Sequence, residues 1–500
     1  IDAAGREAEP LDEAGLDAVA AQLAARAAAE PGAFDAVAVC GLFSHLNPRH
    51  EQRIAEVLAA RLPGRAVVAS HAVQSLQGRP REYEREYERF AAALLAAQGR
   101  TRADELEPVP PAPADGLDAL AQVLQELADR MQQRLMQSAR SSIAREAGDC
   151  AAALFTPDGR LIAQAHWLPL LLGSLIPAVQ AVLARHPPST MAAGDGYLLN
   201  DPWEGGSHLP DLTLVVPIFE AATEAAAAPP RLLALAAVSL HHQDVGGLTP
   251  GSVPPNATSL FEEGLRVPPV RSHRGGELDP TLRALLCANT RTPAHLEADL
   301  QAQWTACALA ERELRQLWAA PGAAGSFAGR GQALLARAEA QTRSAIARAP
   351  DGHFVWHDQL DSDGVSDHPV PLQVAITKRG DALTIDFTGS AAQTRGPANA
   401  SVASMMSAAL FFMRTLAPAA PNNGGCLVPM TLVLPEGSVV NPRWPAAVNA
   451  RTATVKLAAN ALLSAWGREA AAVTAAAHAG VAVVLSVGGT DEVGKPFFFT

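Results

Sequence analysis

The chain has 500 residues, of which 48% are hydrophobic and 18% are charged, and its formal net charge at pH 7 is -12. An acidic chain is a poor match for nucleic acid or for an anionic membrane surface, so neither is expected as a partner. The length predicts about three domains. No uninterrupted apolar run reaches the roughly 18 residues that a transmembrane helix requires.

The five cysteines are widely spaced, odd in number and without a C-x-x-C pair. This pattern favours a reduced, cytoplasmic protein over a disulfide framework. The chain opens without an initiator methionine or a basic signal-peptide region, and it stops at KPFFFT. We therefore expect a fragment or a processed chain that is truncated at its C-terminal end.

The first 107 residues contain the pattern of a β-α-β unit. Two apolar segments, each predicted to be a buried strand, flank a helical segment that has Pro48 in its first turn. Strands joined through a helix pair in parallel by a right-handed crossover. In order, the predicted elements are an alanine-rich helix (11–30), a strand (34–43), a helix (47–62), a strand (65–73) and a charged helix from residue 81.

A proline-rich segment at 108–116 predicts an extended linker and a domain boundary. Beyond it, turn residues predict two hairpins, one turning at 157–159 and one at 379–381. From residue 353 the hydrophobic period changes from helical to two, which is typical of strands. Helices are predicted at 117–143, 174–185, within 292–348, at 399–416 and at 453–466.

These elements place the chain in the α+β class, a mixed α/β architecture of several domains. We predict an N-terminal β-α-β fragment followed by a large mixed-sheet body. The predicted divisions are 1–107, the linker 108–116, a first part of the body at 117–350 and a β-rich second part at 351–500.

Two apolar strands converge on a cluster of metal-ligand side chains. The strand LTLVVPIF follows His208 and Asp211, and the strand RLLALAAVSL ends in the pair His241 and His242. In an antiparallel hairpin, the start of the first strand lies beside the end of the second. Imidazole and carboxylate together suit Zn²⁺, Mn²⁺ or Fe²⁺, so a divalent-metal site is predicted here.

Simpler interpretations account for the same residues. A surface histidine would explain His208, and a capped turn would explain Asp211. His241 and His242 point to opposite faces if both lie in a strand, so at most one is expected to be a ligand unless the strand has already ended.

Several long motifs resemble the hydantoinase B/oxoprolinase family, in the family's order, from about residue 117 to the end. They are CAAALFTPDGRLIAQA, NDPWEGGSHLPDLTLVVPIF, SLHHQDVGGLTPGSVPPNAT, FEEGLRVPPV, ANTRTPAHLEADLQAQ, DFTGSAAQTRGPANA and PNNGGCLVPMTLVLPEGSVVNPRWPAAV. Residues 1–90 resemble the N-terminal region of hydantoinase A, in LFSHLNPRHEQRIAEVL and ASHAVQSLQGRPREYER. The phosphate-binding start and the large central body of hydantoinase A are missing, so the chain resembles a shortened hydantoinase A remnant fused to a hydantoinase B-type body.

The resemblance implies ATP-dependent ring opening of a cyclic amide such as a hydantoin or 5-oxoproline. In the family the A part phosphorylates the carbonyl oxygen and the B part completes the hydrolysis. A hydantoinase A-type partner would then supply the ATP chemistry in a cytoplasmic hetero-oligomer. In the acetone carboxylase type, an H-x-x-D pair and a downstream histidine hold a metal, and these correspond to His208, Asp211 and either His241 or His242.

The motifs supply further candidate residues, and they also depart from the family. The candidates are Asp244, Asn200 and Asp201 for catalysis and Trp203, Trp167 and Arg395 for the substrate pocket. Where the family usually has AQAxHIPVHLGSM, this chain has AQAHWLPLLLGSL, so Trp167 and Leu171 replace two histidines. The apolar HAGVAVV (478–484) replaces a polar loop.

Two other functions accompany the cyclic-amide hypothesis. One is a subunit of an ATP-dependent carboxylase that acts on a small ketone such as acetone or acetophenone. The other is a scaffold subunit whose pocket has lost its chemistry, a hypothesis motivated by the changes at Trp167, Leu171 and 481–484.

Overall fold

The computed structural model describes residues 10–29, 36–39, 47–69, 116–220, 230–319, 327–467, 487–490 and 496–499. The predicted charged helix from residue 81, nearly all of the linker, the loop 221–229 and the segment HAGVAVV lie outside these ranges. The chain forms two compact units, Ile1–Pro113 and Ala114–Thr500. None of the helices within the described ranges is both long and apolar enough to cross a membrane.

The first unit contains a parallel β-α-β arrangement. Strand β1 (Ala36–Val39) pairs in parallel with β2 (Ala66–Ala69), and helix α2 (Arg49–Arg61) lies between them in the chain. Helix α1 (Glu13–Ala29) packs on α2, and the buried Leu58 lies in the small core that these elements share. The predicted β-α-β fragment is confirmed.

The second unit contains the remaining described elements. Its helices are α3 (Leu117–Ser138), α4 (Ser142–Arg145), α5 (Pro169–Leu172), α6 (Leu175–Arg185), α7 (Pro280–Ala288), α8 (Pro293–Ala319), α9 (Phe327–Ala347), α10 (Val402–Leu416) and α11 (Arg451–Gly467). Its strands are β3 (Cys150–Phe155), β4 (Leu161–Gln164), β5 (Gly196–Leu199), β6 (Asp211–Phe219), β7 (Leu232–His241), β8 (Val270–Arg274), β9 (Glu277–Leu278), β10 (Gly352–Leu360), β11 (Val370–Arg379), β12 (Ala382–Asp386), β13 (Met430–Val433), β14 (Val487–Thr490) and β15 (Pro496–Phe499).

The larger sheet has, among the described residues, seven strands in the order β4-β3-β7-β6-β5-β8-β9, and every neighbouring pair is antiparallel. Both of its faces are buried. In β6, Leu214 belongs to the core that includes α3 and α8, whereas its neighbour Val215 belongs to the core that includes α6. Because alternate side chains are buried on opposite faces, β6 and β7 are mostly apolar on both faces.

A second sheet has the order β10-β11-β12-β13, and α10 and α11 pack beside it in a core of its own. Strands β12 and β13 are parallel, and the other pairs are antiparallel. Arg379 pairs with Ala382, so the predicted hairpin at 379–381 is confirmed. The two sheets and their helices confirm the mixed α/β class.

Helix α3 ends earlier than the predicted residue 143. Its last residue is Ser138, and the fully buried carboxylate of Asp299 accepts hydrogen bonds from the backbone N–H groups of Arg140 (2.6 Å) and Ser141 (3.2 Å). The Ser141 side chain then accepts a hydrogen bond from Ala144 and caps α4. A partner 158 residues away in sequence therefore interrupts a pattern that is locally helical.

A close backbone approach shapes the turn ahead of β6. Gly205 has φ +94°, and a Cβ atom placed there would lie 2.6 Å from the carbonyl oxygen of Pro177 and 2.9 Å from Cα of Ala178. Both the dihedral angle and the space therefore require glycine.

Gly205→Ala should destabilise the chain by about 1–3 kcal/mol, because it combines backbone strain with a steric clash. Gly275→Ala is the matched control, since Gly275 also has a positive φ (+58°) but nothing lies within 4 Å of its Cβ position. Thermal melting of both variants measures the difference. Equal melting temperatures would contradict the close approach.

Candidate metal centre

The hairpin of β6 and β7 brings together three side chains that were predicted to bind a metal. Asp211 is the first residue of β6 and pairs with His241, the last residue of β7. His208 lies in the preceding turn, where its carbonyl oxygen accepts a hydrogen bond from the backbone N–H of Asp211. The register of one strand pair thus places all three side chains at the same end of the sheet.

The three potential ligand atoms form a small triangle. Nε2 of His208 lies 2.9 Å from Oδ1 of Asp211 and 3.1 Å from Nδ1 of His241, and Nδ1 of His241 lies 2.9 Å from the same Oδ1. Ligand atoms about 2.1 Å from one cation and at right angles to one another lie about 3.0 Å apart. The spacing therefore fits three adjacent ligands of a divalent cation.

The protonation of His208 is consistent with metal binding. Its Nδ1 lies 3.2 Å from the carbonyl oxygen of Asn449, and since that oxygen only accepts, Nδ1 carries the hydrogen. Burial, with the nearby charge of Arg451, lowers the pKa of His208 to about 4, so the ring is neutral near pH 7. Nε2 therefore directs a lone pair at the carboxylate of Asp211, an arrangement that requires a proton on His241 or a cation between them.

Two donors hold the other oxygen of Asp211. Arg451 donates from Nη2 to Oδ2 at 2.5 Å, and the Ser207 hydroxyl donates to the same oxygen. Burial alone would raise the pKa of Asp211, but the charge of the bonded Arg451 outweighs it and holds the pKa well below its usual range. The carboxylate is therefore ionised, with Oδ1 left to face the two histidines.

Asp149 is a fourth polar residue at this cluster, and sequence reasoning missed it. Its Oδ2 lies 3.8 Å from Nδ1 of His241, and its Oδ1 is buried without a hydrogen-bond partner among the described residues. Burial raises the pKa of this carboxyl group. The side chain is 31% exposed, against 1% for Asp211, so Asp149 lies on the accessible side of the cluster.

His242 does not join the cluster. Its Nε2 donates to Oε1 of Gln303 at 3.1 Å, and Nε2 of Gln303 donates to the carbonyl oxygen of Leu212. The prediction left His241 and His242 as alternatives, and the structure brings His241 to the ligand set because adjacent residues at the end of β7 point to opposite faces.

The three residues predicted to act in catalysis lie in loops that they hold by hydrogen bonds. Asn200 donates to the carbonyl oxygens of Leu209 and Leu265 and accepts from Val267. The carboxylate of Asp201 accepts from Arg266 and from the backbone of Trp203. That of Asp244 accepts from Arg291 and from the backbone of Gly246 and Gly251. All three side chains are fully buried, and among the described residues none of them belongs to the group of potential ligand atoms formed by His208, Asp211 and His241.

The predicted pocket residues are dispersed. Trp203 donates to the carbonyl oxygen of Pro442, and Arg395 is exposed. Trp167 donates to the carbonyl oxygen of Gly148 at 2.6 Å. Gly148 directly precedes Asp149 in the chain, so Trp167 lies beside the accessible side of the cluster. Leu171 is fully buried in the core against the sheet, because it faces inward from α5, and it cannot line a pocket wall.

A buried glutamate supports the segment that orients His208. Glu263 accepts hydrogen bonds at Oε1 from the backbone N–H groups of Val448 (2.6 Å) and Asn449 (2.9 Å). Its Oε2 and the side-chain Oδ1 of Asn449 are both buried without partners among the described residues. Burial raises the pKa of Glu263 to about 8, so the carboxyl group is largely protonated near pH 7.

Comparison with protein families identifies two regions. The sequence model of the hydantoinase B/oxoprolinase family matches residues 116–500, and that of the hydantoinase/oxoprolinase N-terminal region matches residues 1–62. The 5-oxoprolinase of Dictyostelium discoideum is 28% identical over 378 residues, which are 74% of this chain and 28% of that protein. The putative B-type component of a D-/L-hydantoinase from a Pseudomonas species is 26% identical over 358 residues, 68% of this chain and 59% of that one.

The solved structures that are similar to this chain include two enzymes. The ATP-dependent caprolactamase of Pseudomonas jessenii has a TM-score of 0.65 and 28% identity, with 72% of this chain and 61% of that chain covered. Nucleotide-free acetone carboxylase has a TM-score of 0.68 with 81% of this chain and 55% of that chain covered, but at 19% identity this likeness shows the fold alone. The chain spans about a quarter of the 5-oxoprolinase that it matches and less than two thirds of the other relatives described here.

His208→Ala and Asp211→Asn should abolish tight binding of a divalent cation, because the first removes a ligand atom and the second replaces an anionic ligand with a neutral amide. The loss should exceed the 10–100-fold that removal of an outer partner typically costs. Titration of metal-free protein with Mn²⁺ and Zn²⁺ measures the affinities. His242→Gln is the control, since His242 faces Gln303, and an equal loss in this variant would contradict the assignment.

Glu263→Gln should remove a pH dependence of stability. Folding raises this pKa from 4.5 to about 8, so the folded state holds the extra proton in that window. In wild type, the contribution of protonated Glu263 to the free energy of unfolding is fully present below about pH 4.5 and is lost as the pH rises through about 8. Glutamine does not titrate, so the variant should gain stability relative to wild type across this window. Thermal melts of both proteins from acid to alkaline pH test this, and parallel curves would contradict it.

Proposed function

The chain belongs to the hydantoinase B/oxoprolinase family, and on that premise we propose that it is the B-type subunit of an ATP-dependent enzyme that hydrolyses a cyclic amide at a divalent-metal site. The observation that carries the proposal is the cluster of His208, Asp211 and His241, with ligand atoms 2.9–3.1 Å apart. Relatives named 5-oxoprolinase and the similar caprolactamase favour a lactam or hydantoin as substrate.

The cluster's side chains are suited to hold Mn²⁺, Zn²⁺ or Fe²⁺. Such a cation would polarise a carbonyl group or lower the pKa of a bound water. His208 supplies a neutral imidazole that the carbonyl oxygen of Asn449 orients, and Asp211 supplies an ionised carboxylate. His241 supplies the third ligand atom from the end of β7.

Asp149 is the acidic group that a substrate would meet first, since it is the more exposed carboxylate of the cluster. A raised pKa makes a carboxylate a stronger base, which is the property that a general base requires near neutral pH. We assign Asp149 to the accessible side of the site, where it would accept a proton from the attacking water or complete the ligand set.

ATP chemistry would come from a partner. The sequence contains no G-x-x-x-x-G-K-[ST] motif and no G-x-G-x-x-G motif after a predicted strand. The match to the hydantoinase/oxoprolinase N-terminal region ends at residue 62. A hydantoinase A-type subunit would phosphorylate the substrate, and the two would act as a cytoplasmic hetero-oligomer.

A ketone carboxylase is the second candidate function. The fold match to acetone carboxylase covers 81% of this chain, and the same ligand set could polarise a ketone. The scaffold hypothesis is less favoured, because a chain without chemistry gains nothing from burying His208 and Asp211 beside His241.

A complex of this chain with a hydantoinase A-type subunit should hydrolyse ATP in response to 5-oxoproline, a hydantoin or caprolactam. The rate should fall by at least about 100-fold in His208→Ala and stay close to wild type in His242→Gln. Phosphate release measured with each substrate, and with acetone plus bicarbonate, separates the two enzyme functions. A stable complex that responds to none of these would contradict both.

A further inference from the structure

A buried arginine from the second core contacts the candidate metal centre. Arg451 is the first residue of α11 and is only 2% exposed. Its Nη2 donates to Oδ2 of Asp211, which is 240 residues away in sequence. Its Nη1 donates to the neighbouring hydroxyl of Thr452, and its Nε has no partner among the described residues.

A buried ion pair of this kind is weak evidence for stability. Desolvation of both charges offsets much of their attraction, so apolar residues of similar size are often equally stable. The orphan Nε adds a further cost, since an unsatisfied buried donor is unfavourable. The position of Arg451 therefore calls for a role other than stabilising the fold.

The geometry indicates that role. A free carboxylate binds a cation through one oxygen or through both. Arg451 and Ser207 both donate to Oδ2 of Asp211, which leaves Oδ1 alone at 2.9 Å from each histidine nitrogen. Oδ2 is thus held away from the point at which the three ligand atoms converge.

We propose that Arg451 is a positioning residue that restricts Asp211 to a single ligand atom, Oδ1, and thereby sets the coordination number of the cation. This inference rests on the proposed function, because it concerns the same site. The segment before α11 also orients His208, through the carbonyl oxygen of Asn449. Two of the three ligands are therefore held by residues 449–451, and the site is complete only when this segment packs against the start of β6.

The test compares four variants of the 500-residue chain for affinity and for the visible spectrum of bound Co²⁺, which reports coordination number. Arg451→Met should lose about 10–100-fold in affinity for Co²⁺ and Mn²⁺. The visible bands of bound Co²⁺ should also weaken in this variant. Asp211 can then bind through both oxygens, and a higher coordination number weakens these bands. Arg451→Lys should recover part of both properties, since an ammonium can donate to Oδ2 but lacks the planar fork.

Ser207→Ala is a milder second variant that removes the other donor to Oδ2. It should move the affinity and the spectrum in the same direction as Arg451→Met, by a smaller amount. Arg414→Met is the matched control: Arg414 is half-buried and donates to the carbonyl oxygens of Pro418, Ala420 and Pro421, and it has no acidic partner within the described part of the chain. It should lower the melting temperature and leave both metal readouts unchanged.

The outcomes separate this inference from the proposed function. If the wild-type chain binds no Co²⁺, Mn²⁺ or Zn²⁺, the proposed metal site is overturned and this inference with it. If wild type binds Co²⁺ and folded Arg451→Met keeps its affinity and spectrum, this inference alone is overturned. In chelator-treated protein, Arg451→Met should lower the melting temperature, because it leaves the buried carboxylate of Asp211 without its cationic partner. Adding Asp211→Asn to Arg451→Met should restore part of the melting temperature, because it removes that charge. No restoration would show that the two side chains do not interact.

Discussion

The pairing of β6 with β7 is the constraint on which the candidate metal centre depends. Asp211 lies opposite His241 because both strands are fixed by side chains buried on two faces of the sheet. A slip of one residue would turn every side chain of one strand toward the opposite core, where the neighbouring helices and side chains are different. It would also put Asp211 on the wrong side of the sheet for His208. The strand register thus brings Asp211 and His241 together, and the contacts of residues 449–451 then orient the ligands.

The second constraint is that the centre is assembled from both cores of the second unit. The ligands come from the seven-stranded sheet, whereas Arg451 and Asn449 belong to the start of α11 and the segment before it. Glu263 holds the same segment by two backbone N–H groups. The polar contacts therefore form a chain from Glu263 through Asn449 to His208. Each carbonyl or carboxylate in it is buried, so its loss would not be compensated by water.

Much of the fold was predictable because its signals are local. The hairpins at 157–159 and 379–381, the β-α-β unit and the helices α6 and α10 follow from turn residues and periodicity. The proximity of Asp211 and His241 also followed, since a hairpin is the simplest connection of two consecutive strands. The predicted end of α3 was wrong, because Asp299, a residue distant in sequence, accepts hydrogen bonds from the N–H groups of the turn that follows the helix.

The rest of the site could not be read from local patterns. Asp149 lies beside His241 only because β3 pairs with β7, and nothing in the sequence of either strand specifies that neighbour. Arg451 begins a helix 240 residues from Asp211. Asn200 and Asp244 show the converse ambiguity, because a polar residue in a glycine-rich turn has the same sequence pattern whether it binds a ligand or satisfies buried backbone groups. Their catalytic role stays a prediction.

The departures from the family pattern bear on access to the site more than on its ligands. Leu171 is buried in the core, so its replacement of a histidine changes packing and leaves the described cluster intact. Trp167 is different, because its indole donates to the carbonyl oxygen of Gly148 and so lies against the backbone that carries Asp149. A large apolar ring at that position reduces the polar surface beside the one carboxylate that is accessible. Under the proposed function, the three potential metal ligands are present while the adjoining wall differs, and we infer from this combination a different cyclic substrate over a loss of chemistry.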